Sequence, residues 1–180
     1  SGSVSYRVLP IPVESPNHGD FELVVGPDDA TASPLGWHDT GSAVYDVTRG
    51  NNAWAYADRS DVGSGPTAPQ TSPGVFDHVY DQGAAPGQST NAAVTNLFYW
   101  GNVIHDVMWH YGFDEAGGNF QTNNFGLGGN GNDAVRLEAQ DKADLDPCPV
   151  GVQCANNANF STPADGGSGR MQMYEWDGAP

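Results

Sequence analysis

The sequence predicts an α+β fold that is rich in loops and leans toward β-structure. Three observations carry this. The acidic residues are mostly Asp, 17 against 5 Glu, and they come with 24 Gly and 13 Pro. Asp, Gly and Pro favour turns and local backbone hydrogen bonds over helix interiors. One long stretch, about 89–111, repeats apolar residues at helical spacing. Elsewhere, short apolar runs bounded by Gly, Pro and Asp read as strands. Five Trp, seven Tyr and seven Phe argue for a packed core and against a disordered acidic tail.

The elements follow in order. Residues 6–13 hold Tyr6, Val8, Leu9, Ile11 and Val13, with Pro10 and Pro12 between them. Proline donates nothing to a ladder, so an edge strand or strap is expected. Residues 21–25 form a short strand that Gly26-Pro27-Asp28-Asp29 ends as a turn. Residues 43–47 alternate as a strand, and Thr48-Arg49-Gly50-Asn51-Asn52 turns the chain toward Trp54 and Tyr56. Residues 58–88 read as a long loop with a small apolar cluster at Val75, Phe76, Val79 and Tyr80. Loops of this length are functional or wrap a neighbour.

One long buried helix spans about 89–111, with Ser89 or Thr90 as its cap and Gly112 as its stop. Val94, Leu97, Trp100 or Gly101, Ile104, Val107 or Met108, and Tyr111 define an apolar face. Asn96, Asn102, Asp106 and His110 lie opposite. Phe98, Tyr99, Trp100 and Trp109 make the helix apolar nearly all round, which predicts burial on more than one side. Beyond a Gly/Asn loop at 126–133, residues 134–139 read as a strand. Residues 157–161 and 170–176 then pair as a C-terminal β-hairpin, about 157–176. Alternation puts Met171 and Met173 on one face and Arg170, Gln172 and Tyr174 on the other.

Charge narrows the function. With 22 acidic and 6 basic residues the net charge is −16. That excludes a nucleic-acid partner, which needs Lys and Arg against phosphate, and disfavours anionic membrane. No apolar run approaches the roughly 20 residues of a membrane span. Cys148 and Cys154, set among prolines and glycine, read as a small disulfide loop of a secreted chain, the alternative being two reduced thiols. His105 and His110 are roughly 140° apart round a helix, so they do not chelate one ion. A satisfied buried His105 and a surface His110 are expected, with Asp106 and His110 free to pair. No Gly-x-Ser-x-Gly or lone reactive cysteine is present. The glycine run 126–131 lacks the Lys and helix of a phosphate loop. Asp141, Asp144 and Asp146, Asp28 with Asp29, and Asn132 with Asp133 could offer oxygens to calcium; none matches the calcium-loop pattern, and surface acids are the alternative.

The motifs in series resemble the N-terminal part of the catalytic domain of fungalysin-type secreted zinc metallopeptidases, a family of the thermolysin-like superfamily. The matching stretches begin with Ser33-Pro34-Leu35-Gly36-Trp37-His38-Asp39-Thr40, Thr48-Arg49-Gly50-Asn51-Asn52, and Asn96-Leu97-Phe98-Tyr99-Trp100 leading into His105-Asp106. Tyr111-Gly112-Phe113-Asp114-Glu115-Ala116-Gly117-Gly118-Asn119-Phe120-Gln121 and Gly131-Asn132-Asp133 follow. Asn156-Asn157-Ala158-Asn159-Phe160, Pro163-Ala164-Asp165-Gly166 and Gly169-Arg170-Met171-Gln172-Met173-Tyr174 complete the series, in family order. The Cys148–Cys154 loop looks like an insertion.

The resemblance implies that residues 1–180 are the N-terminal lobe of a two-lobed peptidase. The family's H-E-x-x-H zinc helix and C-terminal lobe then fall outside the chain. It implies zinc as the cofactor of the intact enzyme, with no zinc ligand, general base or catalytic residue among these 180. It also implies secretion, peptide or protein substrates, and contact with the C-terminal remainder of the same peptidase through the apolar helix and the hairpin. In the family plan an Asn-Ala edge strand pairs with extended substrate. Asn157 and Ala158 match it, flanked by Asn159 and Phe160; the alternative is an ordinary hairpin strand. Rival functions are a non-enzymatic secreted peptide-binding module and a calcium-stabilised structural domain.

Overall fold

A computed structural model describes residues 3–176. Its strands are β1 (Ser5–Val8), β2 (Glu22–Val25), β3 (Ala53–Ala57), β4 (Val75–Phe76), β5 (Val135–Ala139), β6 (Ala158–Ser161) and β7 (Arg170–Met173). One helix, α1 (Thr90–Trp109), runs for 20 residues. The architecture is α+β. The strands make two sheets, ordered β2-β1-β4 and β3-β5-β7-β6. In the larger sheet β3, β5 and β7 are parallel, and β6 returns antiparallel on β7 as the C-terminal hairpin.

Helix α1 packs on β1, β3 and β5, so it joins the two sheets. The core between them holds Tyr6, Val8, Phe76, Phe98, Tyr99 and Leu137. Close approach explains the small residues at this contact. Ala53, Ala55 and Ala57 alternate on β3 and are buried, and a Cβ on Gly101 would stand 2.5 Å from Leu137 Cδ1. At the other end of α1, Gly112 takes φ +92° and ends the helix as expected.

Several expectations need correction. β1 is the central strand of its sheet, not an edge or strap. It ends at Val8, so the prolines at 10 and 12 lie past the ladder. Residues 43–47 form only isolated bridges, Asp39 with Val44 and Val47 with Pro69. Neither Ser89 nor Thr90 caps α1 with its side chain. A 3-10 turn, Pro86–Ser89, leads in. The Ser89 hydroxyl instead accepts the Asp81 N–H, and that of Thr90 lies against Gly87 O and Gln140 Oε1.

The buried face of α1 is only partly the expected one: Val94 is buried and Leu97 and Trp100 pack against the core, but the second half of the helix turns otherwise. Thr95, Phe98, Tyr99, Asn102 and Asp106 are buried, while Ile104, Val107, Met108 and Tyr111 are exposed. Of the inward polar groups, Asp106 and Asn102 are hydrogen-bonded, while the Thr95 hydroxyl has no partner among the described residues. Asp106 accepts from Ser33 Oγ at 2.6 Å, Trp37 Nε1 at 2.7 Å and Asp29 N at 3.0 Å. Asn102 Oδ1 accepts from Asn52 Nδ2, and its own amide donates to Phe98 O. Asp106 does not pair with His110, which reaches Asp29 instead.

Candidate functional site

β6 is the outer strand of the four-stranded sheet, and all four of its residues are exposed. Its register pairs Ala158 with Met173, Asn159 with Gln172, Phe160 with Met171 and Ser161 with Arg170. Just before it, the Tyr174 N–H donates to the Asn157 carbonyl at 3.2 Å. In an antiparallel ladder the residues that exchange backbone bonds alternate along the strand. Asn157, Asn159 and Ser161 therefore turn their N–H and C=O toward β7. Ala158 and Phe160 turn theirs outward, where an extended chain can meet them.

The two faces of β6 differ. Phe160 lies over an open apolar groove of about 270 Å³. Gly101, Ile104 and Met108 of α1 form one wall, and Leu137 and Met171 of the sheet form another. Phe120 packs on Phe160 with ring centres 6.1 Å apart. On the opposite face a polar ladder crosses every strand of the sheet. Tyr56 of β3 donates its hydroxyl to Glu138 Oε1 of β5 at 2.8 Å. Gln172 of β7 donates Nε2 to Glu138 Oε2 at 2.8 Å. Asn159 of β6 donates Nδ2 to Gln172 Oε1 at 3.1 Å. All four residues are register partners, and Glu138 is 1% exposed.

Cross-linked segments flank the edge. Cys148 and Cys154 are joined in a disulfide. Arg59 ties the base of that loop, bonding Asp144 before it and Glu175 behind it. The Asn156 N–H in turn donates to Glu175 O. At the far end of β6, the Asn130 N–H and side-chain amide donate to the Asp165 carboxylate, and Asp133 Oδ2 accepts the Gly166 N–H. Burial raises the pKa of Asp133.

The histidines stand apart and each has partners. His38 is buried, its Nδ1–H donating to Arg49 O and its Nε2 accepting from Tyr6 OH. Burial lowers its pKa to about 4. His105 lies 2.9 Å from both Asp106 Oδ1 and Gln121 Oε1. His110 bonds Asp29, and this bond, with the N–H groups of Ala32 and Thr31, lowers the Asp29 pKa to about 2.

Among the described residues, the acids expected to offer calcium oxygens do not gather into one site. Among the described residues, the one cluster of three acids is Asp58, Asp61 and Asp141. Lys142, the single lysine of the sequence, places its ammonium 2.8 Å from Asp141 and 3.0 Å from Asp61. Burial works to lower its pKa, but the bonds to Asp141, Tyr174 and Asp61 prevail and raise it. Asp58 accepts the N–H groups of Val62 and Gly63. Asp144 pairs with Arg59.

Of the sequence-derived site residues, Ala158, Asn159 and Phe160 thus lie on the exposed strand β6, and Asn157, half-buried, directly precedes it. The rungs Tyr56, Glu138 and Gln172 were not among them. Their one signal is the alternation of long polar with apolar residues, Arg136 and Glu138 in β5 and Arg170 and Gln172 in β7, and it gains meaning only once the register is known.

Comparison with known proteins adds the following. A family model described as Fungalysin metallopeptidase (M36) matches residues 5–180. Extracellular metalloproteinase 2 of Phaeosphaeria nodorum is 43% identical over 184 residues, covering 99% of this chain and 27% of the relative. Extracellular metalloproteinase 5 of Trichophyton rubrum is 40% identical over 175 residues, covering 96% and 26%. Extracellular metalloproteinase 2 of Arthroderma benhamiae is 39% identical over 181 residues, covering 97% and 27%. The chain spans about a quarter of the length of these curated relatives. Among the described residues, no helix is long and apolar enough to cross a membrane.

Proposed function

Because the chain belongs to the fungalysin metallopeptidase family, we propose that it forms the N-terminal, substrate-facing lobe of a secreted zinc metalloendopeptidase. In this reading β6 is the strand on which an extended peptide is laid out for cleavage. The exposed edge of β6 carries the reading: Ala158 and Phe160 offer backbone donors and acceptors that any peptide can use, whatever its sequence. The extracellular relatives support secretion.

Among the described residues, these histidines and acids do not fit zinc. His38, His105 and His110 are separately bonded, and the three-carboxylate cluster already holds Lys142. Zinc ligands and the general base would come from another part of a longer polypeptide, and no step of the hydrolysis is assigned to this lobe. The apolar groove between α1 and the sheet is where that remainder would pack. Ile104, Met108 and Phe160 stay exposed along it, a patch that covering chain would bury.

Two substitutions in the full-length polypeptide test the reading. Ala158→Pro removes an outward N–H and should lower kcat/KM by about tenfold or more; an unchanged value removes β6 from the site. Ile104→Asp should destabilise the full-length polypeptide yet cost the isolated chain little, because Ile104 is 49% exposed here. Equal effects in the two would mean that nothing packs in the groove.

A further inference from the structure

The polar ladder has a direction. A carboxylate can only accept hydrogen bonds, whereas a Gln or Asn amide can present either end and a tyrosine hydroxyl can rotate. Glu138 is therefore the one rung that cannot reverse. It obliges Gln172 to present Nε2, which leaves Gln172 Oε1 for the next strand. Asn159 must then present Nδ2, which leaves its Oδ1 as the free end of the ladder. Asn159 is exposed, and no hydrogen bond of its Oδ1 is formed among the described residues.

A strand added along the outer edge of β6 would set one of its residues beside Asn159, about 5 Å away on this same face. We propose that Asn159 is a specificity-determining residue whose Oδ1 accepts a hydrogen bond from a donor-bearing side chain of the bound peptide. Glu138 is the positioning residue that fixes this polarity from two strands away. The inference rests on the reading of β6 as the peptide-pairing strand. Its substrate class is peptides with Lys, Arg or another donor beside Asn159; Asp and Glu, which only accept, meet a bare oxygen there.

The test uses the full-length polypeptide and a peptide series with Lys, norleucine or Glu placed in turn at each position near the scissile bond. Cleavage is measured at about 1 M salt, where charges screen over about 3 Å and a direct bond survives. The parent should prefer Lys to Glu by about tenfold at one position. Glu138→Gln lets both amides swap ends, so that Asn159 shows either Oδ1 or Nδ2 outward and the preference at that position is lost. Adding Asn159→Asp to Glu138→Gln restores an outward acceptor, and with it the preference for Lys.

A Glu138→Gln variant that keeps its Tm and its original order of preference overturns the inference. Ala158→Pro separates the two levels. If it abolishes cleavage while Glu138→Gln leaves the preference alone, only the ladder inference falls. If it changes nothing, the edge-strand reading falls and this inference falls with it.

Discussion

Asn159 and Gln172 face each other across the β6–β7 hairpin and share a 3.1 Å hydrogen bond, while the other end of the Gln172 amide satisfies Glu138. Gln172 thus hydrogen-bonds both an exposed edge strand and a carboxylate buried inside the sheet. Gln172→Met keeps the volume and removes both bonds. Glu138 Oε2 would keep no partner nearer than Arg170 Nε at 4.0 Å. An unsatisfied buried carboxylate oxygen costs about 3 kcal/mol. The denaturant midpoint should fall accordingly, with faster hydrogen exchange in β6 and β7. A midpoint like the parent's would mean that the ladder contributes little.

His38 should make the fold acid-sensitive in a defined window. Its pKa is about 4 in the folded chain, against an ordinary value of 6.5. The unfolded chain therefore takes up the proton first as pH falls. The neutral imidazole's contribution is complete above about pH 6.5, declines on acidification and is gone near pH 4. The difference amounts to about 3 kcal/mol. His38→Gln can still meet Tyr6 OH and Arg49 O but does not titrate. Unfolding free energies at pH 7.5 and pH 4 should differ less in the variant by about that amount. Equal differences in parent and variant would count against a buried neutral His38.

Lys142 is the cation on which a buried carboxylate depends. Asp141 is fully buried, its Oδ2 on the ammonium and its Oδ1 unpaired. Removing one partner of such a pair costs about 3–5 kcal/mol, because it strands the other charge. Lys142→Met should lose stability on that scale, and adding salt should not mimic the loss, since burial limits screening. A loss below about 1 kcal/mol would place the pair with ordinary surface ion pairs. The same ammonium predicts that calcium titrated into the parent gives no heat of binding at this cluster.

What could be read from the sequence follows a physical line. Helix α1 was legible because its apolar residues recur over twenty positions, and the hairpin because Met171 and Met173 alternate with Arg170, Gln172 and Tyr174. The buried side of α1 was only partly legible. Periodicity counts Asn102 and Asp106 as outward, and only the tertiary partners Ser33, Trp37 and Asn52 make their burial affordable. β3 did not read as a strand because three of its five residues are alanine, a poor strand former. Here they serve the close approach of the helix. The edge residues 157–160 came from family resemblance, whereas the ladder beneath them depends on strand register, which no local pattern carries.

That close approach can be tested at Gly101. A methyl at this position would stand 2.5 Å from Leu137 Cδ1, so one of the two must yield. Overpacking costs about 1–3 kcal/mol, and the better helix propensity of Ala returns about 1 kcal/mol. Gly101→Ala should therefore destabilise by about 1 kcal/mol. Leu137→Val alone should also destabilise, by leaving a void beside α1. Together the two changes should cost less than their sum, because the smaller side chain makes room for the methyl. Additive losses in the double variant would show that α1 and β5 part to admit the methyl, and that Gly101 is not there to let the helix close on the sheet.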